Sequence, residues 1–175
     1  MDTKQIKKEA IAKLLGHILT GCCKYSPNDP TAWGDSMEPD IPALGEFVNI
    51  VGYMAKCHLE DNLSEFDLNM AEDFVRQVGQ RCHHIWSDGT TTGTWGVRLQ
   101  EIGELREIVN LGEFSLPEIG TEIEMWGYKV MIVKYEVTEN WVVVTYHYDN
   151  GEYGVQEWGD VIYWNKLEKF AKGEK

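Results

Sequence analysis

Basic residues are scarce in this chain: 16 Lys and Arg stand against 29 Asp and Glu in 175 residues, a net charge of −13. A surface of that sign repels phosphate backbones, which disfavours direct nucleic-acid binding and makes a protein with a basic surface the natural partner. Long apolar runs are missing as well, so no segment reads as a membrane span. The opening Met1-Asp2-Thr3-Lys4-Gln5 lacks the apolar stretch of a secretion signal, and a cytoplasmic location is expected. There is no Gly-Lys-Ser/Thr phosphate loop, no Cys-x2-Cys pair, no calcium-loop spacing and no internal repeat. Those absences leave no catalytic residue to nominate and point away from an enzyme.

What charge there is lies unevenly. Lys4, Lys7, Lys8, Lys13 and Lys24 make the first helix basic, whereas Asp29 to Asp73 holds eleven acidic residues and one basic residue, Lys56. Segregation of this kind suits oriented docking. Asp29, Asp35, Glu38, Asp40, Glu60, Asp61 and Glu65 are therefore the candidate partner contacts of this half.

Hydrophobic periodicity divides the chain in two, a helical domain with ordered loops over 1–112 and a β domain over 118–170. Ile6, Ala10, Ile11, Leu14, Leu15, Ile18 and Leu19 predict a helix from Thr3 to Thr20, stopped by Gly21. Pro27, Pro30, Gly34 and Pro39 mark a long loop, with Trp33 and Met37 expected to pin it to the core. A second helix is expected to begin near Asp40 with Pro42 in its first turn, and a third behind a Ser64–Asp67 capping box. The fourth is expected over Val97 to Leu111. After Leu116-Pro117 the pattern alternates, predicting strands at 122–126, 128–137, 141–148, 153–158 and 161–164, with hairpin turns at Glu139-Asn140 and Asn150-Gly151. The expected fold class is thus α+β, an N-terminal helical bundle followed by a small five-stranded antiparallel β-barrel. By its strand rhythm the stretch 118–165 resembles a Tudor-type or Src-homology-3-type barrel.

Three groups of residues could carry chemistry. Cys22-Cys23, Cys57-His58 and Cys82-His83-His84 bring thiols and imidazoles together, so Cys22, Cys57, Cys82 and His83 are the candidate zinc ligands. The alternative is cysteines packed as small apolar groups, with no cofactor at all. A Gly/Thr-rich loop between Trp86 and Gly96 could cradle a phosphate, or could be a connector that touches a partner. The β domain carries more rings than so small an interior can hide. Trp126, Trp141, Tyr153 and Trp158 are the candidate contacts there, with Glu152, Glu157 and Asp160 nearby to suit a basic ligand.

In size, charge and lack of motifs the chain resembles the counter-defence proteins of phages and mobile elements, including anti-CRISPR proteins. That resemblance implies a viral inhibitor acting in the host cell cytoplasm, a CRISPR effector nuclease as partner, and segment 29–73 as the contact. Two alternatives stay open. One is a hydrolase or transferase whose site uses His83, His84, Asp88 and His147, and the other is an adaptor whose aromatic β domain binds basic or proline-rich peptides.

Overall fold

Helix α1 runs Thr3–Cys23, through the glycine expected to stop it. Gly21 lies against the guanidinium of Arg98, where a side chain would collide, so its bareness serves packing instead of termination. The computed structural model describes residues 1–23 and 40–174. The long loop with Trp33, Met37, Asp29, Asp35 and Glu38 lies outside the described residues. Two compact units divide the chain: Ile11–Arg106 forms one, and Met1–Ala10 with Glu107–Lys175 forms the other.

In the helical unit, α2 (Ile41–Leu59) starts at Asp40, whose Oδ1 accepts the Ala43 amide at 3.2 Å with Pro42 in the first turn. The predicted capping box opens α3 (Glu65–Arg81): Ser64 and Asp67 satisfy each other's backbone amides. Both helices end in the same device. Asp61 and His83 take left-handed backbone conformations, and the amides from Asp61, Asn62, His83 and His84 return to the last carbonyls of their helices. Helix α4 (Gly93–Val109) begins four residues before the expected Val97. Gly93 has φ +62°, and a Cβ there would lie 2.7 Å from the His84 ring, so glycine alone fits this entry. The core gathers Leu14, Leu15, Ile18, Phe47, Val51, Met54, Leu68, Val75, Trp95, Ile102 and Leu105. Phe47, Phe74 and Trp95 meet at its centre, the tryptophan edge-on to both phenylalanines at 5.8 and 6.2 Å.

The second unit departs from the expected barrel. Among the described residues it holds one open four-stranded antiparallel sheet in the order β1-β2-β3-β4: Glu122–Met125, Tyr128–Val137, Trp141–Asp149 and Val155–Tyr163. Two expectations fail together. Gly159 does not separate a fourth from a fifth strand, because it pairs with Thr145 and β4 continues to Tyr163. Trp164, expected to end a fifth strand, is the first residue of helix α5 (Trp164–Ala171). Without a fifth strand, β1 and β4 remain as edges. Helix α5 packs against β3 and β4, with its Phe170 ring against that of Tyr135.

Register assigns the two faces. Val130, Ile132, Val137, Val142, Val144 and Ile162 share the inner face, all buried. The register shift between Ile132 and Lys134 keeps Tyr135 and Val137 on that face despite the extra residue. The outer face carries Met131, Trp141, Val143, His147, Glu157, Val161 and Tyr163. The strand-like bridge between Asp2 and Ser115 joins the first residues to this unit, and the Thr3 amide donates to the Phe114 carbonyl at 3.0 Å.

Candidate partner-binding surface

Trp126 and Gly127 form the two-residue turn between β1 and β2, both with positive φ. A tryptophan at such a backbone angle is uncommon, and this one is 79% exposed. Its indole Nε1–H donates to Asp160 Oδ2 at 3.2 Å, and the Tyr146 hydroxyl donates to the same oxygen at 2.8 Å. In a flat sheet β1 and β4 would be roughly 14 Å apart, three strand spacings. The hydrogen bond therefore requires the sheet to coil so that the first turn reaches the last strand. Trp158 sits on the same face, directly across from Tyr146 and two residues before Asp160, and is 54% exposed. One carboxylate thus has two exposed indoles near it, one hydrogen-bonded to it and one two residues away on the same face. Tyr128 and Tyr148 extend the group, their rings edge-on at 5.0 Å.

Tyr146 holds its proton up to about 12, first because it is buried and then because Asp160 takes its hydrogen bond and opposes a second negative charge. Tyr135, whose hydroxyl donates to the Pro117 carbonyl, is pushed up to about 12 by burial. Both groups bind their protons more tightly folded than unfolded. The stability they contribute is complete below the ordinary value near 10 and is lost as the pH rises through about 12. Titration of phenolate absorbance is expected to show ionisations near pH 12 that belong to these two. Asp160→Asn should lower the value of Tyr146 and leave Tyr135 in place; equal movement of both, or of neither, would contradict the assignment.

The remaining nominated rings lie apart from this group. Trp141 is half-buried on the outer face, edge-on to Tyr163 at 5.6 Å. Tyr153 is exposed in the β3–β4 turn, which is longer than the tight Asn150-Gly151 hairpin expected. Asn150 Oδ1 accepts both the Glu152 and Tyr153 amides, and Gly151 and Gly154 take positive φ. His147 faces Glu157 at 3.3 Å across the outer face.

The acidic helical segment is less free than its composition suggests. Asp40 caps α2 and pairs with Arg81 at 3.3 Å. Glu65 pairs with Arg106, which also reaches Asn69 at 3.1 Å, and Asp67 belongs to the capping box. Glu60 and Asp61 are exposed in the turn between α2 and α3; their amides return to α2, and neither side chain has a hydrogen bond or ion pair to another described residue. Exposed Leu59, Phe66 and Met70 lie in the same turn and the start of α3.

Among the described residues no group of three or more His, Cys, Asp or Glu could hold a metal ion. Cys22 and Cys57 are buried, while Cys82 and His83 form the end of α3. His84 is buried, which holds its pKa below the ordinary value, and its Nδ1 accepts the Trp95 amide at 3.4 Å. The Gly/Thr-rich loop closes on itself. Trp86 donates to the Thr90 carbonyl at 2.9 Å, and Asp88 accepts the Thr90 amide at 2.9 Å, which keeps the Asp88 carboxyl below its usual range. Those amides do not face a phosphate.

Tyr146 was not singled out as a contact by the sequence, which placed Asp160 near the rings but not as the shared acceptor of Trp126 and Tyr146. A buried ion pair in the helical unit was also missed: Arg98 Nε lies 2.5 Å from Glu101 Oε1, and His17 Nε2 lies 3.8 Å from Glu101 Oε2. No helix among the described residues is long and apolar enough to cross a membrane. No protein-family model, curated protein or solved structure matches the chain.

Proposed function

We propose that this protein acts by binding and not by catalysis, and that it docks onto a basic protein surface. The observation that carries the reading is a pair of exposed indoles near Asp160, Trp126 hydrogen-bonded to it and Trp158 two residues before it on the same face, in a chain of net charge −13. Indole faces and a carboxylate attract lysine and arginine side chains, and the wider acidic field draws the partner in. Glu60 and Asp61, exposed near Leu59 and Phe66, supply a second acidic and apolar contact. In its most specific form the reading is a counter-defence inhibitor. Its carboxylates take the place of phosphates on the basic channel of a nucleic-acid-binding nuclease, a CRISPR effector being the partner class to test.

The test is titration of purified effector nucleases with the protein, followed by calorimetry and by target cleavage. A complex is expected whose affinity falls about tenfold or more between low and moderate salt, as for charge-steered association. Trp158→Ala should weaken it by about 2 kcal/mol, the scale of a central aromatic contact. Asp61→Lys with Glu60→Lys should slow association. Binding indifferent both to salt and to these substitutions would sink the reading.

A further inference from the structure

The two edges of the sheet are built differently. β1 has four residues, two of them exposed glutamates, the usual means of keeping an edge from pairing. β4 has nine residues, pairs with β3 along its full length, and has no second strand neighbour among the described residues. Val155-Gln156-Glu157-Trp158-Gly159-Asp160-Val161-Ile162-Tyr163 contains no proline, lysine or arginine to blunt it. Val155, Val161 and Tyr163 are exposed on the outer face and Trp158 on the inner. Its formal charges are both negative and lie on opposite faces, Glu157 outside and Asp160 inside, three residues apart.

Resting on the docking role proposed above, we infer that β4 receives an extended basic segment of the partner as a fifth strand. Backbone hydrogen bonds would supply much of the affinity, and alternate side chains the selectivity. Strand geometry sets the pattern of the incoming segment. Two cations three residues apart fall on opposite faces, one opposite Glu157 and the other between Asp160 and the Trp158 ring. Valine-like residues four and six positions from the first cation, on its face of the strand, meet Val161 and Tyr163. A second copy of this chain suits the edge less well, since it would bring the same negative charges and a second net charge of −13.

The experiment titrates the whole protein with a nine-residue, valine-rich peptide that carries two lysines three residues apart, the pattern set by Glu157 and Asp160. Two further peptides of the same sequence are methylated on one or the other alternate set of backbone nitrogens. The parent peptide is expected to bind and to slow hydrogen exchange at β4 amides. One methylated peptide should bind at least tenfold more weakly, because a strand pairs through only one of its two sets of amides. Glu157→Lys should weaken the parent peptide by a similar factor. If both methylated peptides bind like the parent, the contact is charge alone; strand addition is then overturned while the docking role stands. Protection mapping to β1 or to the helices, or a free protein already dimeric through β4, would also overturn it. If none of the peptides binds, strand addition falls, and the nuclease titration decides the docking role separately.

Discussion

Truncating Arg98 to alanine is expected to cost about 3–5 kcal/mol of folding stability at neutral pH, the scale for removing one partner of a buried ion pair. Arg98 and Glu101 are both nearly inaccessible, at 6% and 5% exposure. The guanidinium sits in the space that Gly21 leaves open, 3.5 Å from the Ile18 carbonyl and 3.6 Å from the Cys22 sulfur. Without it, Glu101 keeps a buried charge that His17, at 3.8 Å and largely exposed, compensates only in part. Burial already raises the Glu101 carboxyl above its ordinary value, against the opposing pull of Arg98 and His17. With Arg98 gone the value rises further. The variant's folded state then prefers a proton that the unfolded chain releases, so its deficit is greatest above the folded pKa and shrinks on acidification. Urea denaturation at several pH values measures this. Adding Glu101→Gln should recover part of the loss at neutral pH. A deficit under about 1 kcal/mol, or one that grows on acidification, would contradict the account.

Trp95→Ala is expected to cost a similar amount, about 3–5 kcal/mol, through the cavity left among Phe47, Phe74 and Ile85. The site has little room to collapse. Gly79 already lets Ile85 and Trp95 approach so closely that a Cβ there would lie 3.2 Å from the Trp95 Cβ. Trp95→Phe should lose less than half as much, since an aromatic ring still meets both phenylalanines. Equal losses for alanine and phenylalanine in thermal or urea unfolding would mean that the indole's shape, and not its bulk, holds the centre.

Features set by neighbours in sequence were legible in advance. The Ser64–Asp67 box, Pro42 in the first turn of α2 and the Glu139-Asn140 hairpin each depend on a few adjacent residues, and each is present. The misreadings share one cause. Gly21 stops nothing because Arg98, far along the chain, fills the space beside it. Gly159 breaks nothing because Thr145 pairs with it, so two short strands became one long one and the barrel became an open sheet. The bonds from Trp126 and Tyr146 to Asp160 span 34 and 14 positions and follow from the coil of the sheet, which no local pattern reports. Among the acidic residues, composition marked the segment. It could not separate carboxylates engaged as caps and ion pairs, such as Asp40 and Glu65, from those of Glu60 and Asp61, which have no partner among the described residues.

The bridge between Asp2 and Ser115 bears on how the chain is made. One unit is continuous in sequence, Ile11–Arg106, and can acquire its core as soon as α4 leaves the ribosome. The other joins Met1–Ala10 to Glu107–Lys175, so the earlier segment must wait for one about a hundred residues further along the chain. Contacts separated by 111 residues, such as Thr3 with Phe114, are slow to close. During that interval the apolar side of the first turns of α1, Ile6 and Ala10, has no finished sheet unit to join. The order of synthesis thus completes the sheet unit after the helical unit has had time to fold.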